Sequence, residues 1–282
     1  MTLIEDDSCE YYKDLTEKRS HLVVKSNDLI QKARFTLSLQ EQKIILYLIS
    51  KVKPDDDDFI YQEFSIGDFC RVYGMDHDSG KNYKNVKDAI KALSDKSVWV
   101  MLDSGTETLV RWINKAWINK KSGSIRIRLD DDMRPYLLQL RERFTQYELM
   151  YTLAMKSQYS IRLFELLRSY EHKKIWVFEI DELKRLLSAE NYTRFPDFKR
   201  KVLDIAIREI NAFSDLDVSC KPKKVGRRFG KIEFTIRLKQ DMGERMNTWA
   251  RIEEVINPAQ MSLFDKMWVE YNGKSRKDSS YN

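Results

Sequence analysis

Six cations stand within the eleven residues from Lys221 to Lys231: Lys221, Lys223, Lys224, Arg227, Arg228 and Lys231. No acid stands among them. Crowding like charge gains nothing for folding. A polyanion explains it, because phosphates neutralise the cations and release their own counterions. Gly226 and Gly230 in the same run permit close backbone approach to such a partner. A second basic group precedes it, with Arg194, Lys199, Arg200 and Lys201 followed by Arg208. Leu203, Ala206, Ile207, Ile210 and Phe213 recur there at helical spacing. That stripe sets Arg200, Lys201, Asp204 and Arg208 on the opposite face, with Lys199 at its border. A guanidinium fork matches two acceptors on guanine at once, so the expected chemistry is recognition of phosphates and base edges.

Catalytic patterns are missing. A nucleotide-binding loop needs G-x-x-x-x-G-K-[ST] after a buried strand. Gly74 to Asn82 reads GMDHDSGKN, which is one residue too long, ends in Asn and follows a helical pattern. His21, His77 and His172 are isolated, so the paired-histidine metal motif of a nicking enzyme is absent. Asp55 to Asp58 is a contiguous run that cannot aim its carboxylates at one ion without a special loop, and it reads as a solvated turn. Cys9, Cys70 and Cys220 lack metal-ligand spacing and read as reduced thiols, with Cys70 in the core. No metal and no cofactor are expected.

The elements that must position the cations form a repeat. Ser38 caps a helix running to about Val52, with Glu41 as its capping-box partner and Ile44, Ile45, Leu48 and Ile49 on the apolar face. Phe59 to Phe64 reads as a short strand, Ser65 to Tyr73 as a helix stopped by Gly74, and Lys81 to Asp95 as a third helix with Val86, Ala89, Ile90 and Leu93 inward. Strand patterns follow at Ser97–Leu102, Thr108–Ile118 and Ser124–Leu129, separated by the turn signals Asp103-Ser104-Gly105 and Lys121-Ser122-Gly123. The same order returns later: helix Ser157–Tyr170, strand Lys174–Phe178, helix Ile180–Ser188, and a long helix Asp197–Phe213 after Pro196. Strands Val218–Lys221 and Lys231–Leu238 flank the basic turn. Ile44 aligns with Leu163, Phe64 with Phe178 and Ile90 with Ile207, as a duplicated domain requires.

Helix, strand, helix, helix, hairpin is the winged-helix order, in which the last helix enters the major groove and the hairpin is the wing. The expected fold is therefore α+β, two tandem winged-helix domains. Residues 1–21 read as a loose N-terminal segment, 22–130 as the first domain, 131–240 as the second and main DNA-binding domain, and 241–282 as a tail. The first domain's third helix exposes Lys84, Lys87 and Lys91. Its wing turn, read as Asp103 to Glu107, is acidic or neutral. It is expected to bind DNA more weakly, or to serve partly as a dimerisation surface. Trp99, Trp112 and Trp117 read as core or interface residues rather than base-stacking groups.

The composition fits this reading. The chain is 42% hydrophobic and 33% charged, which excludes disordered and membrane classes. No stretch approaches the roughly 20 apolar residues of a spanning helix. Met1 to Glu10 is acidic and lacks the apolar core of a signal peptide, so a cytoplasmic protein is expected. The net charge of +6 is weak support for a nucleic-acid partner; the clustering of base is stronger.

Four segments carry a family resemblance: LVVKSNDLIQKARFTLSLQEQKIILYLIS from Leu22, YSIRLFELLRSYE from Tyr159, FKRKVLDIAIREIN from Phe198 and KKVGRRFGKIEFTI from Lys223. They resemble the iteron-binding replication initiator (Rep) proteins of theta-replicating plasmids. The resemblance implies monomers on direct repeats of double-stranded origin DNA. It also implies homodimers through the first domain that repress the protein's own gene, and recruitment of the host helicase or its loader. It places the main DNA contacts on Lys199, Arg200, Lys201, Arg227 and Arg228. Further on, Gln260-Met261-Ser262-Leu263-Phe264 resembles the pentapeptide that binds the bacterial sliding clamp. There Leu263 and Phe264 would fill an apolar pocket and Gln260 would bond at its rim. Two other readings stay open: a winged-helix transcriptional regulator without an initiator role, and a nickase-type rolling-circle initiator, which the missing histidine pair argues against.

Overall fold

A computed structural model describes residues 13–76 and 80–257. Helix α1 covers residues 13–20 of the described chain. It is followed by β1 (Leu22–Ser26), α2 (Asn27–Gln31), β2 (Ala33–Arg34), α3 (Leu39–Ile49), β3 (Gln62–Ser65), α4 (Ile66–Val72) and α5 (Gly80–Ser94). Next come β4 (Ser97–Met101), β5 (Glu107–Arg111), β6 (Ile113–Ile118), β7 (Ser124–Leu129), α6 (Arg134–Leu137), β8 (Phe144–Glu148) and α7 (Met150–Leu153). The second half holds α8 (Gln158–Ser169), β9 (Ile175–Glu179), α9 (Ile180–Leu186), α10 (Phe195–Phe198), α11 (Asp204–Phe213), β10 (Leu216–Val225), β11 (Arg228–Leu238) and α12 (Met242–Ile256).

Local chemistry explains several helix starts. Ser38 and Glu41 exchange backbone bonds in a capping box at α3 (3.3 and 2.8 Å), and Ser65 and Asp68 do the same at α4. α3 is buried from Ile44 to Ile49 without a polar side, as expected of a helix packed on several faces. Gly74 ends the α4 turn at φ +62°, and a Cβ there would lie 2.0 Å from the Ile256 carbonyl oxygen, so only glycine fits.

The two halves share one sheet plan. In the first, β7 lies between β3 and β6; in the second, β11 lies between β9 and β10. The second strand of each hairpin therefore pairs with the short strand preceding the helix-turn-helix. This correspondence corrects the expected first wing. The run Thr108–Ile118 is not one strand. It breaks at Trp112, whose indole is 1% exposed and meets the Phe35 ring edge-on at 5.1 Å. β5 stays with β4 and β2 in a separate sheet, and β6 crosses to β7 and β3. The β4–β5 hairpin with its Asp103 to Glu107 turn is thus an insertion, and the wing is β6–β7, turning through Asn119 to Gly123.

Two further expectations change. Residues 13–20 are helical rather than loose, with Leu15 buried in the core. Arg19 donates to the Arg71 and Val72 carbonyls, each at 3.0 Å, and to both Glu253 oxygens at 2.8 and 3.0 Å. The segment read as a tail begins with α12, which buries Thr248, Ile252 and Ile256. β8 lies past the expected boundary after residue 130, yet it pairs antiparallel with β1, Leu22 opposite Glu148.

One continuous core joins the halves. At their junction, fully buried Lys25 meets Glu165 at 2.5 Å, and the Tyr147 hydroxyl donates to the same carboxylate at 2.6 Å. Arg162 donates to the Leu186 and Ala33 carbonyls (3.1 and 2.9 Å) and lies over the Phe35 ring. Burial pushes Lys25 below the ordinary lysine range and brings Arg162 down to about 10. Taking such charges out of water is costly unless each finds a partner, and Lys25 and Arg162 both find theirs on the other half.

Candidate nucleic-acid interface

The long second-domain helix is three segments in series: α10, a π-helical turn at Lys199–Leu203, and α11. Pro196 stands in its first turn, where its missing N–H is not needed. Arg194 is the N-cap residue and is strongly exposed, as is Arg200. Lys199, Arg200 and Lys201 all sit in the π turn, a feature frequent at functional sites. Val202, Leu203, Ala206 and Ile210 bury the opposite side. Carboxylates hold some of these cations ready: Lys199 meets Asp204 at 2.6 Å and Arg200 meets Asp197 at 3.5 Å. Lys201 and Arg208 are exposed and make no salt bridge among the described residues.

The second wing is longer than its sequence pattern suggests, with ten residues in β10 and eleven in β11. The basic run is therefore paired strand rather than loop. Gly226 turns the tip at φ +65°. Lys221, Lys223, Lys224, Arg227 and Arg228 are exposed. Strand register supplies acids that the linear run lacks: Lys223 pairs with Glu233, and Lys231 with Glu179 at 2.8 Å. Lys221, Lys224, Arg227 and Arg228 make no salt bridge among the described residues, so the tip carries the uncompensated charge. Phe229 on the wing packs on Phe195 at the helix start, ring centres 4.8 Å apart. Helix and wing are thereby held as one surface.

In the first domain, Lys84, Lys87 and Lys91 line the exposed face of α5. The wing turn adds Lys120 and Lys121, both exposed, with Lys115 on β6 and Arg126 on β7. Sequence reasoning missed these four because it assigned the wing to the wrong hairpin. The turn signal at Lys121-Ser122-Gly123 was the clue. Asn119 shapes the turn by accepting from the Lys121 and Ser122 amides, and the Gly123 carbonyl accepts from the Ile66 amide at 3.0 Å. That last bond fastens the wing to the start of α4. The first wing is therefore basic, against the expectation of an acidic or neutral one.

Gln260 to Phe264 and His77 lie outside the described residues. His21 lies between α1 and β1 and His172 just after α8, and no group of His, Cys, Asp and Glu among the described residues has the makings of a metal site. No described helix is long and apolar enough to cross a membrane. Trp112 is core as expected, whereas Trp99 and Trp117 stand exposed.

Fold and surface together define a tandem winged-helix protein with a basic helix and a basic wing in each half. Residues 22–168 match the family described as Initiator Replication protein, WH1, and residues 179–236 the one described as Initiator Rep protein, WH2. The chain belongs to this family of replication initiators. It is 25% identical over 236 residues to an Escherichia coli replication initiation protein, covering 79% of this chain and 72% of the relative. It is 27% identical over 152 residues to the Escherichia coli PI protein, spanning about half of each (47% and 49%). The crystal structure of the Pi initiator protein in complex with iteron DNA superposes with a TM-score of 0.66 at 21% identity, over 79% of this chain and 99% of that one.

Proposed function

We propose that this protein starts plasmid replication without catalysis of its own. It binds direct repeats of double-stranded origin DNA through both winged helices, destabilises adjacent duplex and brings in the host helicase or its loader. The observation that carries this reading is the pair of basic wings, each tied to its own helix-turn-helix, by Phe229 on Phe195 in one half and by Gly123 to Ile66 in the other. Two joined readers of this kind fit tandem sites better than a lone palindrome. Homodimers through the first domain repress the protein's own gene, and the Gln260 to Phe264 pentapeptide engages the bacterial sliding clamp.

A footprint on the DNA flanking the gene, with scrambled competitor at physiological salt, tests the central claim. Protection of regularly spaced direct repeats without strand cleavage is expected. A single protected palindrome would move the reading to a transcriptional regulator, and cleavage with a divalent metal to a nickase. For the clamp, Leu263→Ala with Phe264→Ala should abolish capture in a pull-down; unchanged capture would remove that partner.

A further inference from the structure

The two helix-turn-helices end their first helix in the same way but with different residues. After α4, the Gly74 amide bonds to the Arg71 carbonyl and the Met75 amide to the Cys70 carbonyl (3.1 and 2.8 Å). After α9, the Ser188 amide bonds to the Arg185 carbonyl and the Ala189 amide to the Lys184 carbonyl (3.2 and 2.8 Å). Such a pair of bonds closes a helix around one residue in the left-handed region, where glycine is the usual choice. Gly74 has φ +62° and Ser188 has φ +52°. A side chain in that conformation crowds its own backbone, so a serine persists there only when its surroundings hold it.

What holds it comes from the first half of the chain. The Ser188 hydroxyl donates to the Phe35 carbonyl at 2.8 Å and accepts from the Thr36 hydroxyl at 3.2 Å. Glycine could make neither bond. Two residues back, the Leu186 carbonyl accepts from the Arg162 guanidinium, whose other arm reaches the Ala33 carbonyl. The same guanidinium lies 4.6 Å from the centre of the Phe35 ring. Residues 33–36 therefore hold both the end of α9 and the turn after it. The corresponding glycine of the first half faces Ile256 of α12 instead. The turn at Ser188 leads from α9 into the segment carrying Arg194, Lys199, Arg200 and Lys201, so it sets how that segment is aimed. Two bonds to one base edge demand close aim, whereas a charge contact with phosphate tolerates a shift.

We infer that Ser188 and Arg162 are positioning residues for sequence reading: through them, residues 33–36 of the first domain aim the reading helix of the second. The inference rests on the DNA-binding reading above and deepens it. Discrimination between sites belongs to the two domains together, while affinity for phosphate stays with the second domain's own cations.

The test uses the full-length protein and two fluorescein-labelled duplexes of equal length, one carrying the repeats protected in the footprint and one scrambled, read by anisotropy at physiological salt. Ser188→Gly keeps the left-handed turn and loses the hydroxyl, so thermal unfolding should barely move. Affinity for the repeats should fall by roughly three- to tenfold, a loss bounded by the bonds removed. Affinity for scrambled duplex should stay within about twofold, and the slope of log affinity against log salt should not change. Ser188→Asn tolerates the same conformation and carries an amide donor, so it should recover part of the discrimination. Arg162→Lys keeps the charge and loses the fork, and it should lower discrimination in the same way at a temperature where circular dichroism shows it folded. Equal losses on the two duplexes would overturn the inference, as would a Ser188→Asn variant no better than Ser188→Gly. If the wild-type protein prefers the repeats and Ser188→Gly keeps that preference, this inference fails alone. If the wild-type protein shows no protected repeats and no preference, the proposed function fails with it.

Discussion

The two winged helices are built on one plan and charged in two ways. In the second, the cations are concentrated: four unpaired ones cluster at or near one hairpin tip, and Lys199, Arg200 and Lys201, the first two ion-paired, sit in one π turn just beyond the Phe195 on which the wing packs. In the first, they are dispersed over α5, the β6–β7 turn and the outer sheet face, where aromatic rings interleave with them. A concentrated patch tracks a duplex backbone closely and contributes affinity. A dispersed patch should hold less of the duplex. The two scaffolds share a sheet plan, and side-chain placement gives them unlike distributions of charge.

The comparison assumes that the halves are held rigidly, and the largest expected effect tests that. Glu165→Ala leaves the buried Lys25 amine and Tyr147 hydroxyl without their partner and should destabilise the protein by about 3–5 kcal/mol in urea denaturation. Lys25→Met combined with Glu165→Leu should recover most of the loss. A cost below about 1 kcal/mol would mean that the junction is held by something else.

Next in size is the reading helix. Arg200→Ala should weaken binding to the specific site by about 1–3 kcal/mol and relax one base preference. Identical losses on specific and scrambled DNA would place Arg200 on the backbone instead. A third contrast concerns stability alone. Ser65→Ala should cost about 1 kcal/mol, because the hydroxyl caps α4. Its counterpart Glu179→Ala should cost markedly less, since Glu179 caps α9 with no side-chain bond and its ion pair with Lys231 is exposed. Equal costs would show that the two helix-turn-helices are anchored alike.

The smallest effects separate the wings. Arg228→Ala should weaken all duplexes alike and lower the slope of log affinity against log salt by about one. Lys120→Ala should lower it by less, as befits the lighter duplex load assigned to the first wing. Equal slope changes would erase the division of labour.

Much of this organisation is legible in the sequence because it is local. The Ser38–Glu41 box, the Val86 to Leu93 stripe and the glycine that stops α4 all act within a few residues. The second wing is legible too, since its cations run consecutively. The first wing is not. Its Lys115 and Arg126 come together only through the register of β6 on β7, and the corner at Trp112 looks like continuous strand until its burial is known. Pairings such as β1 with β8 leave no short-range mark, because each strand's partner lies more than a hundred residues away. The acids beside the second wing, Glu179 and Glu233, were invisible for the same reason.

Arg19 bears on how the molecule can be taken apart. Its guanidinium, in a residue 3% exposed, bridges the C-terminal carbonyls of α4 to Glu253 on α12, so residues from both ends of the described chain meet at the first helix-turn-helix. Excising everything after Leu238 to obtain a lone DNA reader would strip the Glu253 carboxylate from that buried cation and expose the Gly74 corner where Ile256 now lies. The modularity seen in the duplicated sheets does not extend to the scissors: the halves repeat, yet the second cannot be trimmed to its repeat without loosening the first's recognition motif.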